Sequence, residues 1–307
     1  MDVRDWALIT FTILVQMSVG AMWVLGIAHY FAARKYGAEE ADRLSDRALF
    51  ALVPVIALAF IASLLHLGGN PFVAYRAVTH LGTSWLSAEI FFGVIFAVLA
   101  FVFAFLQWRK IGSLVLRNVF AWLAALDGLV LVFVMSRVYM LPTQPAWNSW
   151  ATPISFYATT FLLGAMAMGA AFVANYAYLQ RKQPGCADAQ CALMRAALRW
   201  IAVAAVLLVG VELVVLPIYM ATVAAGSAAG LASVQLMIGA YGWALVLRVI
   251  LAFVGAGVLA VFLYQNAMSV GQEKMLGTLA YTAFVIVLVA EVLGRLLFYA
   301  TNVRIGV

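Results

Sequence analysis

Eight long apolar segments divide the chain, and each can cross a lipid bilayer as an α-helix. A spanning helix needs about 20 residues, because each residue rises about 1.5 Å and the hydrocarbon core is about 30 Å thick. Apolar residues make up 67% of the 307 residues and charged residues only 10%, and no loop is long enough to form a soluble core. We therefore expect an all-α integral membrane protein, a single polytopic domain over residues 1–307, arranged as two four-helix bundles. The expected spans are Trp6–Phe31, Leu49–Leu67, Ser84–Trp108, Asn118–Met140, Thr152–Leu179, Leu198–Ala221, Gly242–Tyr264 and Met275–Ala300.

Lysine and arginine residues outside the spans are distributed unevenly between the two sides of the membrane. Twelve lie in or beside the loops that follow spans 1, 3, 5 and 7, whereas the other side carries only Arg4, Arg76 and Arg304. Because positively charged loops stay in the cytoplasm, both termini are expected outside. The net charge of +6 is then explained by orientation, and no nucleic-acid partner is expected.

Seven charged residues lie inside the apolar segments, where an ionisable side chain is costly and marks a function or an internal pair. All but one of them lie toward the outer ends of the spans; the exception, Asp127, lies near the midplane. The spacing of Glu291 and Arg295 by four residues puts them on one helix face, where they can pair. The alternative to a functional cluster is that these charged residues pair with one another and have only a structural role. The six at the outer ends are Glu89, Arg137, Glu212, Arg248, Glu291 and Arg295.

The histidines and cysteines indicate which electron carriers the protein can hold. Haem ligation across a helix bundle needs two histidines at one depth, but His29 lies at the inner end of span 1, and His66 and His80 both border one outer loop. The pair Cys186 and Cys191 has no further ligands nearby, so neither a metal site nor a disulfide is expected in this cytoplasmic loop. We expect no haem and no resident metal, which leaves a carrier that diffuses in the bilayer, a quinone.

A quinone head group requires a proton-exchanging side chain, polar groups for its carbonyls and aromatic rings around it. His66 suits the first role because histidine titrates near neutral pH, and Glu89 lies close to it in the expected topology. The outer ends also supply Arg137, Tyr139, Trp147, Arg295 and Tyr299.

Four sequence blocks in order resemble the membrane anchor subunits of the bacterial dimethyl sulfoxide reductase family of complex iron–sulfur molybdoenzymes. The likeness covers nearly the whole chain. The blocks are Ile61-Ala62-Ser63-Leu64-Leu65-His66-Leu67-Gly68; Leu81-Gly82-Thr83-Ser84-Trp85-Leu86-Ser87-Ala88-Glu89-Ile90; Arg137-Val138-Tyr139 with Pro145-Ala146-Trp147-Asn148-Ser149-Trp150-Ala151-Thr152-Pro153; and Glu291-Val292-Leu293-Gly294-Arg295-Leu296-Leu297-Phe298-Tyr299.

The resemblance implies a subunit of the bacterial inner (plasma) membrane that oxidises menaquinol during anaerobic respiration. It implies two partners: an iron–sulfur electron-transfer subunit, and a molybdopterin catalytic subunit with the molybdenum cofactor. His66 and Glu89 match the motif residues implied in quinol oxidation, and they are the expected catalytic residues. The residues expected to bind the quinol are His66, Gly68, Arg76, Glu89, Arg137, Tyr139, Trp147, Arg295 and Tyr299.

One segment departs from the family pattern. After Leu-His-Leu-Gly the family commonly has Ser-Pro-x-Arg-Ala-Phe, whereas this sequence has one residue more and Val73 at the place of the arginine. Arg76, one turn further on, is the candidate substitute.

Three other functions are compatible with the sequence: the same anchor working in reverse as a quinone reductase, a secondary transporter, and a purely structural anchor. A transporter is less favoured, because the charges gather at one face and the paired helix breaks of transporters are missing.

The uneven loop charge predicts the side on which the C-terminus lies. Fused after Val307, a phosphatase that is active only outside the cytoplasm should be active, and a fluorescent protein that matures only inside should be dark. The opposite pattern would show that the orientation is inverted.

Overall fold

Long α-helices make up almost the entire computed structural model, which describes residues 3–66, 80–182 and 187–306. No β-strand occurs in these ranges. Seven of their helices are long and apolar enough to span a membrane, and the bent second helix makes an eighth, so the all-α membrane fold expected from the sequence is confirmed. The helices are α1 Val3–Tyr36, α2 Ala38–His66, α3 Trp85–Arg109, α4 Leu114–Tyr139, α5 Ala151–Lys182, α6 Ala187–Gly226, α7 Ala228–Ile238, α8 Gly242–Ala252, α9 Leu259–Met268 and α10 Glu273–Ala300.

The described helices run past most of the expected span ends, because helix formation continues beyond the apolar stretch. The longest, α6, has 40 residues, about 60 Å, twice the thickness of the hydrocarbon core. Helix α2 bends by 41° between Asp46 and Ala51, one turn before Pro54. A proline inside a helix lacks an N–H and clashes with the carbonyl four residues earlier, which explains a bend at this place.

Two features of the second half were not predicted from the sequence. The short apolar helix α7 begins after Ser227, whose hydroxyl accepts a hydrogen bond from the Gly230 N–H at 3.0 Å. A π-helical segment, Phe253–Val258, joins α8 to α9, so that Gly242–Met268 forms one continuous span.

The helices pack as two groups of four spans. In the first group α1 packs against α2 and α4, and α3 packs against α2 and α4. In the second group α5 packs against α6 and α10, while the α8–α9 span packs against α6 and α10. The groups meet mainly along α1 and α5. This arrangement agrees with the expected pair of four-helix bundles.

Two glycines allow the backbones of α1 and α5 to touch. A Cβ added at Gly20 would overlap the carbonyl oxygen of Thr160, and one added at Gly164 would overlap the backbone of Gly20. Small residues are the usual means of bringing membrane helices together, since lipid tails give helices no hydrophobic reason to associate.

A polar network ties the four helices of the first group together at one end. The Asp42 carboxylate of α2 receives hydrogen bonds from Gln107 at 2.8 Å and from Arg117 at 3.2 Å, and its oxygens lie 3.2 Å from His29 and 3.1 Å from Lys110. We call this the basic end of the protein and the other the site end, where α2, α4, α6 and α10 finish.

Replacing Gly164 by alanine should destabilise the protein, because the new methyl group has to push α1 away from α5. Overpacking of this kind typically costs about 1–3 kcal/mol. Gly210 in α6 is the matched control, because an added Cβ there meets nothing within 4 Å and Gly→Ala inside a helix is by itself favourable by about 0.5–1 kcal/mol. Thermal unfolding in detergent should therefore show a lower midpoint for Gly164→Ala and an equal or higher one for Gly210→Ala. A midpoint for Gly164→Ala at or above the wild-type value would contradict the role of the crossing.

Candidate functional site

A cavity of about 330 Å³ lies inside the first helix group at the site end. Glu89 of α3 and Tyr139 of α4 are its polar side chains together with Ser63 of α2, and the rest of its wall is apolar. Its deep wall contains buried Phe96 and Leu131. The other lining residues are Leu8, Phe11, Val15, Ile56, Phe60, Leu64, Leu86, Ile90, Gly93, Val94 and Val138.

The cavity faces the lipid-exposed surface between α2 and α3. Leu64, Leu86 and Val94 line it and are 46%, 47% and 49% exposed. A bilayer-dissolved molecule can therefore approach the cavity from the side, along these apolar residues.

Glu89 is placed in the cavity by the start of α3. Ser84 caps this helix, its hydroxyl accepting a hydrogen bond from the Ser87 N–H, so Glu89 falls in the second turn. Its side chain is only 6% exposed. A carboxyl group in such an apolar enclosure can exchange a proton with a bound molecule.

His66 is the last residue of α2, one turn beyond Ser63 of the cavity wall. Its side chain lies outside what the structure describes. Gly68 and Arg76, the other binding residues expected from this loop, also lie outside the described residues, as does Val73, so the roles of these positions stay predictions.

Tyr139 connects the cavity to the second helix group. Its hydroxyl and that of Tyr299 in α10 are 2.8 Å apart and hydrogen-bonded. The Trp147 ring packs edge-on against Tyr139 at 5.3 Å and stacks on Phe298 at 5.3 Å, while its indole N–H donates to the Phe298 carbonyl oxygen at 2.6 Å. Trp147 and Tyr299 thus form an aromatic cluster behind Tyr139 and do not line the cavity themselves.

Arg295 lies in the interface between the two groups. It donates a hydrogen bond from Nη2 to the Gln16 side-chain oxygen of α1 at 2.7 Å, and its guanidinium lies 3.9 Å from the centre of the Phe156 ring. Glu291 takes a different partner, the Thr159 hydroxyl at 2.6 Å. No ion pair joins Glu291 to Arg295 in the described structure, which corrects the expectation from their spacing.

Arg137 is directed away from the cavity. Its guanidinium lies 5.2 Å from the centre of the Trp85 ring and its Nη1 lies 3.4 Å from the Met140 sulfur. The neighbours Val138 and Tyr139 line the cavity. In this structure the Arg137-Val138-Tyr139 block therefore contributes only its last two residues to the cavity wall.

Sequence reasoning missed Gln16 and Phe156, the two side chains that hold Arg295. Gln16 offered a signal, because it is an uncharged polar residue inside an apolar span and is fully buried; such residues commonly bond between membrane helices. Phe156 offered none, because one phenylalanine in an apolar helix resembles any other.

The fold and the site together define a class: a multi-pass membrane protein with a lipid-accessible polar cavity at one end. Within that class the chain belongs to the DMSO reductase anchor subunit (DmsC) family, whose family model matches residues 1–301. It is therefore a membrane anchor subunit of the DMSO reductase family, as the sequence blocks indicated.

Curated relatives agree with this assignment over part of the sequence. The protein is 35% identical to the YnfH subunit of anaerobic dimethyl sulfoxide reductase of Escherichia coli over 166 residues, which is 52% of this protein and 55% of the relative. It is 31% identical to the C subunit of anaerobic dimethyl sulfoxide reductase of Haemophilus influenzae over 55% of this protein and 58% of the relative. It is 32% identical to the corresponding C subunit of E. coli over 53% of this protein and 56% of the relative. The protein thus spans about half the length of the curated relatives it matches.

Trp147→Phe should loosen the loop between α4 and α5 from α10. The substitution keeps an aromatic ring for stacking but removes the hydrogen bond to Phe298, which is typically worth about 0.5–1.5 kcal/mol. The thermal midpoint should therefore fall by a few degrees. Trp150→Phe is the control, because Trp150 lies in the same loop and is 45% exposed, so its midpoint should not move. Equal midpoints for the two variants would mean that the Trp147 hydrogen bond does not hold the loop.

Proposed function

We propose that this protein is the quinol-oxidising anchor of a respiratory complex in the bacterial inner membrane. It takes electrons from menaquinol and passes them to an iron–sulfur subunit, which feeds a molybdopterin catalytic subunit during anaerobic respiration. The observation that carries the proposal is the cavity lined by Glu89 and Tyr139, in a protein that belongs to the DMSO reductase anchor family.

The cavity suits a quinol ring in size and chemistry. Small-molecule sites typically have volumes of about 300–1,000 Å³, mostly apolar walls and a few polar groups that fix orientation. This one has about 330 Å³, with a carboxyl group and a phenol at its polar positions. Its opening between α2 and α3 gives a bilayer-dissolved isoprenoid quinol a lateral route that an aqueous substrate would not use.

Oxidation of a quinol releases two electrons and two protons, so the site needs a proton acceptor. Glu89 reaches the cavity directly, and His66 ends the helix turn that forms part of its wall. We assign proton acceptance to His66 and onward transfer to Glu89, since histidine titrates near neutral pH. Tyr139 is positioned to hydrogen-bond a quinol oxygen, and its bond to Tyr299 holds its hydroxyl in place.

The electrons have to leave at the site end, because the cavity lies there. We infer that the iron–sulfur subunit docks over the loops at that end, on the outer (periplasmic) face of the membrane. The loop after α4 is held in place there by the C-terminal segment and by α6: the Ile305 N–H donates to the Thr143 oxygen at 2.9 Å, and Tyr219 of α6 donates to the Ala146 oxygen at 3.0 Å. The three curated relatives are themselves named as subunits of anaerobic dimethyl sulfoxide reductase, which supports an assembly with a catalytic partner.

His66→Ala should abolish or strongly reduce quinol-dependent turnover without preventing assembly. Removing a positioned proton acceptor typically costs about 10²–10⁴-fold in rate. Glu89→Gln should also impair turnover, while retaining much of the quinone binding because the amide keeps its size and hydrogen-bonding capacity. Both rates should be measured in the same membranes, one with a menaquinol analogue and one with an artificial donor that reduces the partner subunits directly.

His80→Ala is the matched control, because His80 borders the same loop and is exposed. It should leave both rates unchanged. If His66→Ala lowered the quinol-dependent and the artificial-donor rates equally, His66 would be a structural residue of the loop and the catalytic assignment would fail.

A further inference from the structure

A second and smaller polar cavity, of about 80 Å³, lies within the other helix group. It lies between α5, α6, α8 and α10, with Met237 of α7 also in its wall, and shares no lining residue with the Glu89 cavity. Four of the charged residues singled out in the sequence line it, namely Glu212, Arg248, Glu291 and Arg295. We call it the Glu212 chamber.

The four side chains are held from several helices. Arg248 of α8 pairs with Glu212 of α6, with 3.5 Å between Nη2 and Oε2. The Arg248 guanidinium lies against the α10 backbone, since a Cβ added at Gly294 would be only 2.6 Å from its Nε. Glu291 and Arg295 are fixed by the hydrogen bonds to α5 and α1 described above.

These contacts leave buried polar atoms without a protein partner. Oε1 of Glu212, Oε1 of Glu291 and Nε of Arg295 have no hydrogen-bond partner among the described atoms, although the three residues are only 8%, 2% and 5% exposed. Leaving such groups dry is costly. A polar cavity needs only about 10–15 Å³ to hold one water molecule, so the chamber has room for water that bonds to these atoms.

The α8–α9 span, which carries Arg248 into the chamber, is not a regular α-helix throughout. Arg248 belongs to a series of residues at every fourth position along this span. The other members are buried alanines, Ala244, Ala252, Ala256 and Ala260. In a regular α-helix such a series would wind by about 160° over its four steps. The π-helical segment Phe253–Val258 lies within this series and takes up part of that rotation. Local π-helical turns are frequent at functional sites.

We propose that the Glu212 chamber is a water-filled proton-binding site in which Glu212 and Glu291 hold a proton between them. Two carboxyl groups facing one small low-dielectric space commonly share a proton. The two guanidinium groups in the wall set how strongly that proton is held.

We place this site downstream of the quinol cavity, a step that rests on the proposed function. The Tyr139–Tyr299 hydrogen bond extends from the quinol cavity to α10, the helix that carries Glu291 and Arg295 into the chamber. Of the products of quinol oxidation, both electrons leave to the iron–sulfur partner. One proton is accepted by His66 and passed on through Glu89, and the chamber receives the other by way of the Tyr139–Tyr299 pair.

The proton itself can be detected by infrared spectroscopy of the purified complex, without any turnover. A protonated buried carboxyl group gives a carbonyl stretching band that shifts when H₂O is replaced by D₂O. The wild type should show this band, and Glu212→Gln and Glu291→Gln should each remove or shift it. Glu39→Gln is the control, because the Glu39 side chain is 81% exposed and pairs only at the surface. Spectra of both chamber variants that match the wild type would overturn the proton site.

Turnover tests the coupling to the quinol cavity. Glu212→Gln should slow the quinol-dependent rate by about 10-fold, less than the 10²–10⁴-fold typical of losing a direct proton acceptor, and should leave the artificial-donor rate unchanged. The double variant Glu212→Gln with Arg248→Gln removes both members of the ion pair, so a purely structural pair would recover the wild-type rate, whereas a proton site would stay slow.

The outcomes separate this proposal from the proposed function. An infrared band that disappears in Glu212→Gln while quinol turnover is unchanged would overturn the coupling. Full quinol activity in His66→Ala and Glu89→Gln would overturn the assignment of the quinol cavity and leave the infrared test of the chamber intact.

Discussion

The contact between Gly20 and Gly164 fixes the two helix groups relative to each other, and the hydrogen bonds that join the groups depend on it. Gln16, which holds Arg295 of α10, lies one turn before Gly20 on α1. With larger side chains at the crossing the backbones could not touch, and the Gln16–Arg295 hydrogen bond would not form at its present length. The crossing therefore sets the alignment of α10 with the first group, and with it the Tyr139–Tyr299 bond.

The intramembrane charged residues lie in two different environments, one in each helix group. In the first group a single carboxyl group, Glu89, faces a large and mostly apolar cavity that a hydrophobic ligand can enter. In the second group two carboxyl groups and two guanidinium groups line a smaller cavity of about 80 Å³. The opposite end of the first group is held by the Asp42 network.

The sequence predicted the membrane fold because bilayer thickness alone sets how long an apolar helix must be. It also located the charges at one end, since depth follows directly from position along a span. It could not predict how the charges divide between two cavities: the spacing of Glu291 and Arg295 shows that they share a helix face, but not that the face meets Thr159 on one side and Gln16 on the other. The π-helical segment had a signal in the four-residue spacing of the alanines around Arg248, which a regular helix does not keep on one side. Gly20 and Gly164 are two among 23 glycines, and only tertiary packing distinguishes them from Gly210, where an added Cβ would meet nothing within 4 Å.

The energetics of the second group argue against a merely structural role for its charges. Replacing a buried ion pair by well-packed apolar residues is often neutral or stabilising, and the four-helix group could be closed by leucine and alanine as the rest of its core is. Instead the protein keeps Glu212 and Glu291 with buried oxygens that no described protein group satisfies, and it accommodates a π-helical segment in the helix that supplies Arg248. The unsatisfied oxygens reduce stability. Buried carboxyl oxygens that face a polar cavity, in the helix group packed against the one that holds the Glu89 cavity, fit the proton-binding site proposed above better than a structural ion pair.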